Sequence, residues 1–555
     1  MSVTVSGTGE KPAVNWEQPG DEQMFWQLDR MHFPNQLLMM EDDFIRTFYS
    51  QGFFVAAEGY GAPIRPHVRR FFTRHYLAFA PLPLSEAELE DLGKHFEQNL
   101  GRAIPEQRNR WEQEFLPEIR ALIRDWEAFD LAGASDAQLL AHWDVTIERL
   151  ARLSRIHFEI ALPMLLSMGL FDEIYSDLFG TENSLESMRL LQGTPTMTTR
   201  MGQELWRLSR IASNSPAVRT IIEEQAAADV VPALERDPTC APFLAELHEF
   251  LGQYGHRAET WGISYPSWVE DPSPAIKSLK DFLSQQGRDL AAELQELANE
   301  RDRLIAAARD RLVGYPAQAR EQFEFILTGA TAGYYLSEEH GFWIDSYGLD
   351  CVRQVILEAG RRLAARGALE ERDDIFHLTF AEARDTYTHP GTDRRGLIAE
   401  RKAELTAYRD IQVPPMLGTE PAGPPPDNPL YRTLGKFFGA PPPPSDEPGM
   451  LRGAAGSAGQ VRGRACVVRS LADAQRLRPG EILVTETTAP AWTPLFATAA
   501  AVVTDTGGVL SHCAVVAREY MIPAVVGTGM ATTMIPDGAM IEVDGAAGVV
   551  RVVAD

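Results

Sequence analysis

The chain has 555 residues, of which 45% are hydrophobic and 23% are charged, a length that suits roughly two to four globular domains. Acidic residues outnumber basic ones by 78 to 52, and the formal net charge of -26 argues against a nucleic-acid-binding protein, which needs clusters of Lys and Arg. The four cysteines lack disulfide-framework and metal-ligand spacing, and the N-terminus lacks the basic start and apolar core of a signal peptide. Because no apolar run approaches the length of a membrane span either, we expect a cytoplasmic protein that binds neither nucleic acid nor a membrane.

A helical pattern dominates residues 21–411, after a stretch at 1–20 whose Gly, Ser, Thr and Pro content predicts a mobile tail. Two helix starts can be placed, because Ser85 and Ser135 each stand three residues before a Glu or Gln, the spacing of a capping box. We therefore predict a large, mainly α-helical domain over 21–411.

A long helix is predicted from Ser273, because Pro274 suits the first helical turn. Five leucines in it recur at helical spacing and form one apolar stripe: Leu283, Leu290, Leu294, Leu297 and Leu304. Such a stripe is more typical of packing within a helical bundle than of a coiled coil with a partner.

The composition changes twice towards the C-terminus. Proline runs at 412–450 cannot lie inside helices or central strands and predict an extended linker, in which "RTLGKFFG" is a short docking turn. From 451 to 555, short β-branched runs alternate with two helical pieces, Leu471 to Arg476 and Ser511 to Tyr520. The chain is thus predicted to be multidomain, with a large helical domain, a proline-rich linker and a small α/β domain.

One histidine of the small domain has a distinctive setting, in the stretch "TDTGGVLSHCAVVAREYMIPAVVG". His512 begins a predicted helix behind a glycine loop, and Ser511 is placed to cap that helix. The first turn of a helix presents N–H groups and a positive dipole end, which favour an anion such as a phosphoryl group. A neutral imidazole is a nucleophile near pH 7, and no second ligand stands at metal-binding spacing, so the pattern favours a phosphohistidine over a metal site.

This stretch and its flanks, "PGEILVTETTAPAWTPLF" and "DGAMIEVDGAAGVVRV", closely resemble the mobile phosphohistidine domain of the phosphoenolpyruvate synthase and pyruvate phosphate dikinase family. The resemblance implies a swivelling domain in which His512 is phosphorylated. It also implies a phosphate loop with one nearby charge, made of Thr506, Gly507, Gly508, Ser511 and Arg518. Met521 and Ala491 depart from the family pattern at positions away from this chemistry.

The helical domain resembles a narrower group, the substrate domains of rifampin phosphotransferase and of dikinase-like kinases that phosphorylate phenols, such as phenylphosphate synthase and hydroxyphenylethanone kinase. "FWQLDRMHFP", "FLGQYGHRAETWGISYPSWVEDP", "DDIFHLTFAEA" and "IAERKAEL" carry this resemblance in their shared order. These enzymes load their histidine from ATP that is bound on an ATP-grasp domain. We expect no room for such a domain ahead of "WQLDRMHFP". We likewise expect no room after Asp555 for a barrel that binds phosphoenolpyruvate. The resemblance thus implies one subunit of a split kinase, whose ATP and Mg²⁺ sites lie on a separate ATP-grasp subunit and whose other products are AMP and phosphate.

The acceptor site must hold a hydroxyl in line with the phosphohistidine, take its proton and offset charge. Candidates for these roles lie in three motifs, "QLDRMHFP", "YGHRAET" and "EEHGFWID", and are Asp29, His32, His256, Arg257, Glu259 and His340. His340 is the preferred general base, and Arg257 suits bidentate binding of phosphoryl oxygens. The alternatives for each are surface ion pairs and satisfied core histidines, and His142 and His157 are predicted to be core residues.

Aromatic residues near these motifs suit a flat aryl acceptor, with Trp26 and Trp343 as the substrate-binding candidates among them. The other members of this aromatic cluster are Phe33, Trp261, Tyr265, Trp268 and Phe342. A small phenolic substrate ranks first, because its hydroxyl loses a proton more readily than an aliphatic alcohol. A rifamycin-type antibiotic ranks second. A catalytically silent binding or regulatory protein is the third alternative. It is disfavoured because the glycine loop, the Ser-His pair and the Ala-Arg pair of the family pattern are all intact.

Overall fold

The computed structural model describes residues 13–553, apart from residues 182, 183, 286, 288, 422, 424–426, 440, 441 and 443–446. Most of the predicted mobile tail lies outside the described residues, whereas Trp16 packs edge-on against Phe71 with ring centroids 5.4 Å apart. The described chain is multidomain, with a mainly helical part followed by an α/β part, as the sequence predicts.

The helical part contains the following helices: α1 (Met39–Thr47), α2 (Phe54–Tyr60), α3 (Glu86–Arg110), α4 (Leu116–Glu127), α5 (Asp136–Phe179), α6 (Ser184–Met188), α7 (Met197–Ser213), α8 (Pro216–Glu224), α9 (Ala227–Arg236), α10 (Ala241–Tyr254), α11 (Ser273–Ser284), α12 (Leu290–Arg311), α13 (Ala317–His340), α14 (Leu349–Ala365), α15 (Phe380–Thr388), α16 (Arg395–Tyr408) and α17 (Pro429–Phe438). Three segments between helices have the wider π-helical turn: Phe48–Phe53, Trp111–Phe115 and Gly341–Gly348.

The central helix of this part is α5, which has 44 residues and is packed by α3, α13, α14 and α17. The capping boxes predicted at Ser85 and Ser135 are both formed and start α3 and α5. Contrary to the sequence-based expectation, α5 is long and apolar enough to cross a membrane, but 72% of its most apolar window is buried inside the protein. This burial is that of a core helix.

The long helix predicted from Ser273 is two helices. α11 ends at Ser284 and α12 begins at Leu290, where the Asp289 carboxylate accepts a first-turn N–H and caps the new helix. The leucine stripe is buried on both sides of this break, at Leu283, Leu290 and Leu297. Because the apolar period continues through the break, periodicity alone does not locate it.

The helical part also carries an antiparallel sheet with strands β1 (Phe25–Leu28), β2 (Ile64–Phe71), β3 (Arg74–Pro81) and β4 (Met416–Gly418), in the order β2-β3-β1-β4. β4 comes from the predicted linker and pairs with β1, so the start of that linker is bound to the helical part. Trp26 is fully buried in the core of this sheet, and its indole N–H donates to the Asp21 carbonyl at 2.7 Å.

The α/β part is built on an eight-stranded sheet with strands β5 (Met450–Arg452), β6 (Ala454–Ser457), β7 (Gln460–Val467), β8 (Ile482–Thr485), β9 (Ala501–Thr504), β10 (Ala524–Val526), β11 (Met540–Asp544) and β12 (Val549–Val552). Their order is β5-β12-β11-β7-β8-β9-β10-β6, and the run from β7 to β10 is parallel. The first predicted helical piece is only a 3₁₀ turn at Asp473–Arg476, whereas the second is α18 (His512–Glu519), with α19 (Ala531–Met534) after it. α18 follows β9, so its N-terminus lies beyond the carboxyl end of a parallel strand, the usual place for a site in such a sheet.

Candidate active site

His512 is the first residue of α18 and faces the helical part. Its Nδ1 lies 3.3 Å from a carboxylate oxygen of Glu338, and its Nε2 lies 3.5 Å from the Thr493 hydroxyl. Because an ionised carboxylate only accepts hydrogen bonds, the Nδ1 of His512 carries a proton, and in the neutral ring Nε2 is the nitrogen with the lone pair. The imidazole is therefore oriented for attack through Nε2.

Glu338 is a buried residue of α13 whose other carboxylate oxygen accepts a hydrogen bond from the Thr198 hydroxyl at 2.5 Å. Burial opposes ionisation of Glu338, but His512 and Thr198 outweigh burial and lower its pKa. The carboxylate is thus charged at neutral pH and holds the imidazole from the helical part. Neither Glu338 nor Thr198 was predicted from the sequence, although Glu338 stands two positions before His340 in "EEHGFWID".

His512 lines a cavity of about 210 Å³ to which both parts of the chain contribute. The helical part supplies aromatic rings to its wall, from Phe33, Phe44, Phe48, Tyr49, Phe53, Phe158, Trp261 and Phe342, and α17 supplies Tyr431, Phe437 and Phe438. Of the predicted aromatic cluster, Phe33, Trp261 and Phe342 therefore lie at this cavity. A concave, largely apolar wall of this kind suits a small apolar or aromatic ligand.

Arg257 lies in the cavity wall as a buried cation. Its Nε–H donates to the Met201 sulfur at 3.2 Å, and its guanidinium carbon lies 4.8 Å from the Phe342 ring centroid. The two terminal nitrogens have no hydrogen-bond partner among the described residues. Burial lowers the pKa of Arg257 to about 10, so the group is still charged at neutral pH. It is suited to donate to phosphoryl oxygens.

His340 also lines the cavity. Its Nδ1–H donates to the Leu336 carbonyl at 2.6 Å, which leaves Nε2 as the unprotonated nitrogen. Burial and the neighbouring His157 lower the pKa of His340 to about 4, so its ring is neutral at pH 7. The role of general base stays a prediction for this residue.

Asp29 and His32 form an ion pair with 2.9 Å between a carboxylate oxygen and Nδ1. His32 lines the cavity and stacks on Phe437 of α17, whereas Asp29 is buried outside the cavity wall. Burial alone would lower the pKa of His32, but the carboxylate of Asp29 outweighs burial and raises it. Of the two predicted residues, His32 therefore faces the cavity, and its partner favours the protonated ring.

Besides Asp29, four predicted substrate-binding residues lie outside the cavity wall: Trp26, His256, Glu259 and Trp343. Trp26 belongs to the sheet core. His256 pairs with Asp350 at 2.6 Å and stacks on Tyr347, and the indole of Trp343 stacks on the same tyrosine. The carboxylate of Glu259 accepts the Leu471 N–H at 2.8 Å and so joins the two parts of the chain. These side chains are occupied by structural contacts, which corrects their predicted role.

The two histidines predicted to be core residues have different environments. His142 is buried and stacks on Phe129 with ring centroids 3.8 Å apart, which confirms the prediction. The prediction is wrong for His157, which lines the cavity and lies 3.0 Å from a carboxylate oxygen of Asp345. A histidine on an apolar helix face gives no sequence signal that separates a core position from a cavity wall.

The glycine loop of the small domain is held by α17. The N–H groups of Gly507, Gly508 and Leu510 donate to the carbonyls of the last residues of this helix, Phe438, Phe437 and Lys436. A Cβ at Gly508 would lie 2.1 Å from the Lys436 carbonyl oxygen, so only glycine fits there. "RTLGKFFG" is thus part of a docking helix, and in this arrangement the loop N–H groups are bonded to it. Their phosphate-binding role stays a prediction.

The other predicted loop residues also make structural contacts. Thr506 donates through its N–H and its hydroxyl to the Glu486 carbonyl. Arg518 is buried and donates to two backbone carbonyls rather than facing the cavity. Ser511 occupies the N-cap position of α18 but makes no capping hydrogen bond, which corrects the predicted cap. Ser511 therefore supplies no side-chain acceptor for the N–H groups in the first turn of α18.

Glu519, at the end of α18, joins the small domain to the helical part. Its carboxylate accepts hydrogen bonds from the Gly193 N–H at 3.0 Å and the Tyr334 hydroxyl at 2.5 Å. Burial raises the pKa of Glu519, whereas these two hydrogen bonds and the neighbouring Arg518 lower it. Burial has the larger effect, and the pKa is about 7.

Docking of the small domain is expected to weaken as the pH rises through 7. In an undocked domain Glu519 meets water and titrates near roughly 4.3, so the docked state holds a proton that the undocked state releases. Distances between one spin label on each part should report more docked molecules at pH 6 than at pH 8. Glu519→Gln stays neutral and should abolish the difference. An unchanged pH response in this variant would contradict the expectation.

Two family models match the chain, one within each part. Residues 157–338 match the family model described as the rifampicin phosphotransferase fourth domain, and residues 477–548 match the PEP-utilising enzyme mobile domain. The helical part thus contains a region similar to rifampicin phosphotransferases, and the α/β part is similar to the mobile domain of PEP-utilising enzymes.

Individual relatives match different shares of the chain. Chondramide synthase cmdD of Chondromyces crocatus is 36% identical over 98% of this chain and 14% of its own length. The uncharacterized phosphotransferase YvkC of Bacillus subtilis is 29% identical over 72% of this chain and 47% of its own length. A rifampicin phosphotransferase of a Streptomyces species is 30% identical over 68% of this chain and 42% of its own length. The chain thus spans less than half the length of each of these relatives.

Proposed function

We propose that this chain is the phosphoryl-carrying subunit of a cytoplasmic ATP-dependent kinase that acts on a small phenolic compound, such as a phenol or a hydroxyphenyl ketone. His512 takes a phosphoryl group from ATP, which is bound with Mg²⁺ on a separate ATP-grasp subunit, and passes it to the acceptor hydroxyl. The products are an aryl phosphate, AMP and phosphate. The observation that carries the proposal is the position of His512, which Glu338 orients in the wall of an aromatic cavity.

The side chains of the cavity wall supply what the transfer step needs. The acceptor oxygen attacks phosphorus while the bond from phosphorus to Nε2 breaks, and the electron pair of that bond returns to the imidazole. Glu338 keeps the proton on Nδ1 of His512. Arg257 offsets the charge on the transferring group through its two unpaired terminal nitrogens, and His340 takes the hydroxyl proton.

A phenolic acceptor is favoured by the composition of the cavity wall. Aromatic rings on several sides can stack on a flat ring, and the volume of about 210 Å³ suits a small molecule. A rifamycin-type antibiotic is the second candidate, because residues 157–338 match a domain named for rifampicin phosphotransferase. A catalytically silent relative is disfavoured, because His512, Glu338 and Thr198 form a complete hydrogen-bonded chain.

The proposal is tested by charging the chain without its ATP-binding partner. Phosphoramidate, a chemical phosphoryl donor for histidine, is expected to place acid-labile phosphate on His512, as read by phosphopeptide mass spectrometry. The charged chain is then mixed with phenol, 4-hydroxyacetophenone or a rifamycin, and ³¹P NMR follows loss of phosphohistidine and gain of a phosphate ester. Faster discharge with a phenol than with water supports the proposal. Selective discharge by the rifamycin favours the second candidate, and equal discharge by all additives contradicts both.

The proposal that ATP binds on a separate ATP-grasp subunit has a test of its own. Labelled ATP alone should leave the chain unlabelled, whereas ATP with an added ATP-grasp protein should label His512. Labelling by ATP alone would contradict the separate subunit and leave the acceptor assignment unaffected.

A further inference from the structure

Three metal-ligating side chains meet in the cavity wall: His157, His340 and Asp345. Each offers one ligand atom, and these three atoms all lie within 4.8 Å of one another. His340 is 6% exposed, and the side chains of His157 and Asp345 are 15% and 6% exposed. Two imidazoles and a carboxylate are the donor set of many zinc and iron sites.

The π-helical segment Gly341–Gly348 explains how two of these residues come to one place. His340 ends α13 and Asp345 follows five positions later, inside this segment. In an α-helix, residues five apart lie about 140° apart around the axis. The wider π-helical turn brings them closer to the same face, and such segments occur frequently at functional sites. His157 completes the cluster from α5, which packs directly on α13.

The hydrogen bonds around the cluster suit metal binding. The Nδ1–H of His340 donates to the Leu336 carbonyl, which holds the ring and leaves Nε2 as a ligand. The Nδ1 of His157 and the carboxylate of Asp345 are 3.0 Å apart and share one proton. A cation can replace that proton, because ligand atoms about 2.0–2.2 Å from a zinc ion require only a small closure of these side chains.

We propose that His157, His340 and Asp345 bind a divalent transition-metal ion, of which Zn²⁺ is the reference case, at the wall of the acceptor cavity. Three protein ligands leave at least one coordination position, which opens towards the same cavity as His512. An acceptor hydroxyl bound there loses its proton more readily, since a Lewis acid lowers the pKa of a coordinated oxygen. This last step rests on the proposed function, whereas metal binding does not. With the ion bound, Nε2 of His340 coordinates and no longer serves as a general base.

Metal binding is measured on the full, tag-free chain after treatment with EDTA and dialysis. Isothermal titration with ZnCl₂ is expected to give one site per chain, and CoCl₂ should give visible absorption bands of a low-symmetry site with nitrogen and oxygen ligands. His157→Ala and Asp345→Asn should each weaken Zn²⁺ binding by at least roughly tenfold and remove the Co²⁺ bands. Asp345→Asn keeps the size of the side chain, so thermal unfolding should show that this variant is folded.

Two matched variants make the result decisive. His389→Ala removes an exposed histidine that also pairs with an aspartate, Asp385, and should bind Zn²⁺ like the wild type. His512→Ala should also bind one equivalent, because His512 lies outside the cluster, so failure of phosphoryl transfer and failure of metal binding are separate outcomes. Wild-type affinity in Asp345→Asn, or binding that His389→Ala abolishes, would overturn the proposal.

Discussion

His512→Ala is expected to abolish both acid-labile phosphorylation of the chain and phosphoryl transfer to the acceptor. Loss of an attacking group typically costs at least roughly 10⁴-fold in rate, because no neighbouring group replaces it. Within the described residues, the other histidines of the cavity are His32, His157 and His340. Their Nδ1 atoms are bound to Asp29, Asp345 and the Leu336 carbonyl, so the helical part holds them in place.

Phosphate label on the chain is measured after alkaline and after acid treatment, because phosphohistidine is lost only in acid. Transfer to the acceptor is followed by ³¹P NMR. His389→Ala serves as the control, because this exposed histidine lies outside the cavity. Normal turnover by His512→Ala, or acid-labile phosphate on another histidine, would contradict the assignment of the phosphoryl carrier.

Arg257→Met is expected to lower the rate of phosphoryl transfer by roughly 10²–10³-fold while leaving thermal stability unchanged or higher. Arg257 is 1% exposed, and neither terminal nitrogen has a hydrogen-bond partner among the residues that the structure describes. Buried N–H groups without hydrogen-bond acceptors cost free energy in the resting protein, although the charge of Glu338 offsets part of the cost of burying this cation. Methionine fills a similar volume without unbonded N–H groups. The unbonded terminal nitrogens of Arg257 are suited to bind the negative charge that arrives with the phosphoryl group.

The matched control is Arg353→Met. Arg353 is also buried, but its Nε and one terminal nitrogen donate to the Glu270 carboxylate, at 2.6 and 3.1 Å, and its other terminal nitrogen donates to the Ile263 carbonyl. Breaking this buried pair should lower the free energy of unfolding by roughly 3 kcal/mol, because it leaves the Glu270 carboxylate with only the longer contact to Arg372 at 3.9 Å. Urea unfolding and single-turnover transfer are measured on both variants. A destabilised Arg257→Met with a normal transfer rate would assign Arg257 a structural role instead.

Local signals in the sequence were sufficient for the features that depend on neighbouring residues. The helix starts at Ser85 and Ser135 follow from a side chain and a backbone N–H three residues apart. α18 follows from the loop and apolar run around His512. These features need no knowledge of the tertiary structure.

Features that depend on contacts between distant segments were not predictable in this way. Glu338 meets His512 across 174 positions, and His157 meets Asp345 across 188. Trp26 and His256 have the residue types expected of an aryl-binding site, but a sheet core and a tyrosine stack hold them elsewhere. Residue type gives the chemistry that a side chain can perform, and only packing decides which cavity it faces.

The hydrogen bonds between α17 and the glycine loop would affect the stability of a phosphorylated His512. While the small domain is docked at the acceptor cavity, the N–H groups of Gly507 and Gly508 bond to the linker helix and not to a phosphate. Under the proposed function the small domain also leaves α17, and the same N–H groups would then be without those partners and could bind phosphoryl oxygens. A phosphorylated His512 would therefore be more stable away from the cavity than beside it, and docking would raise its phosphoryl-transfer potential.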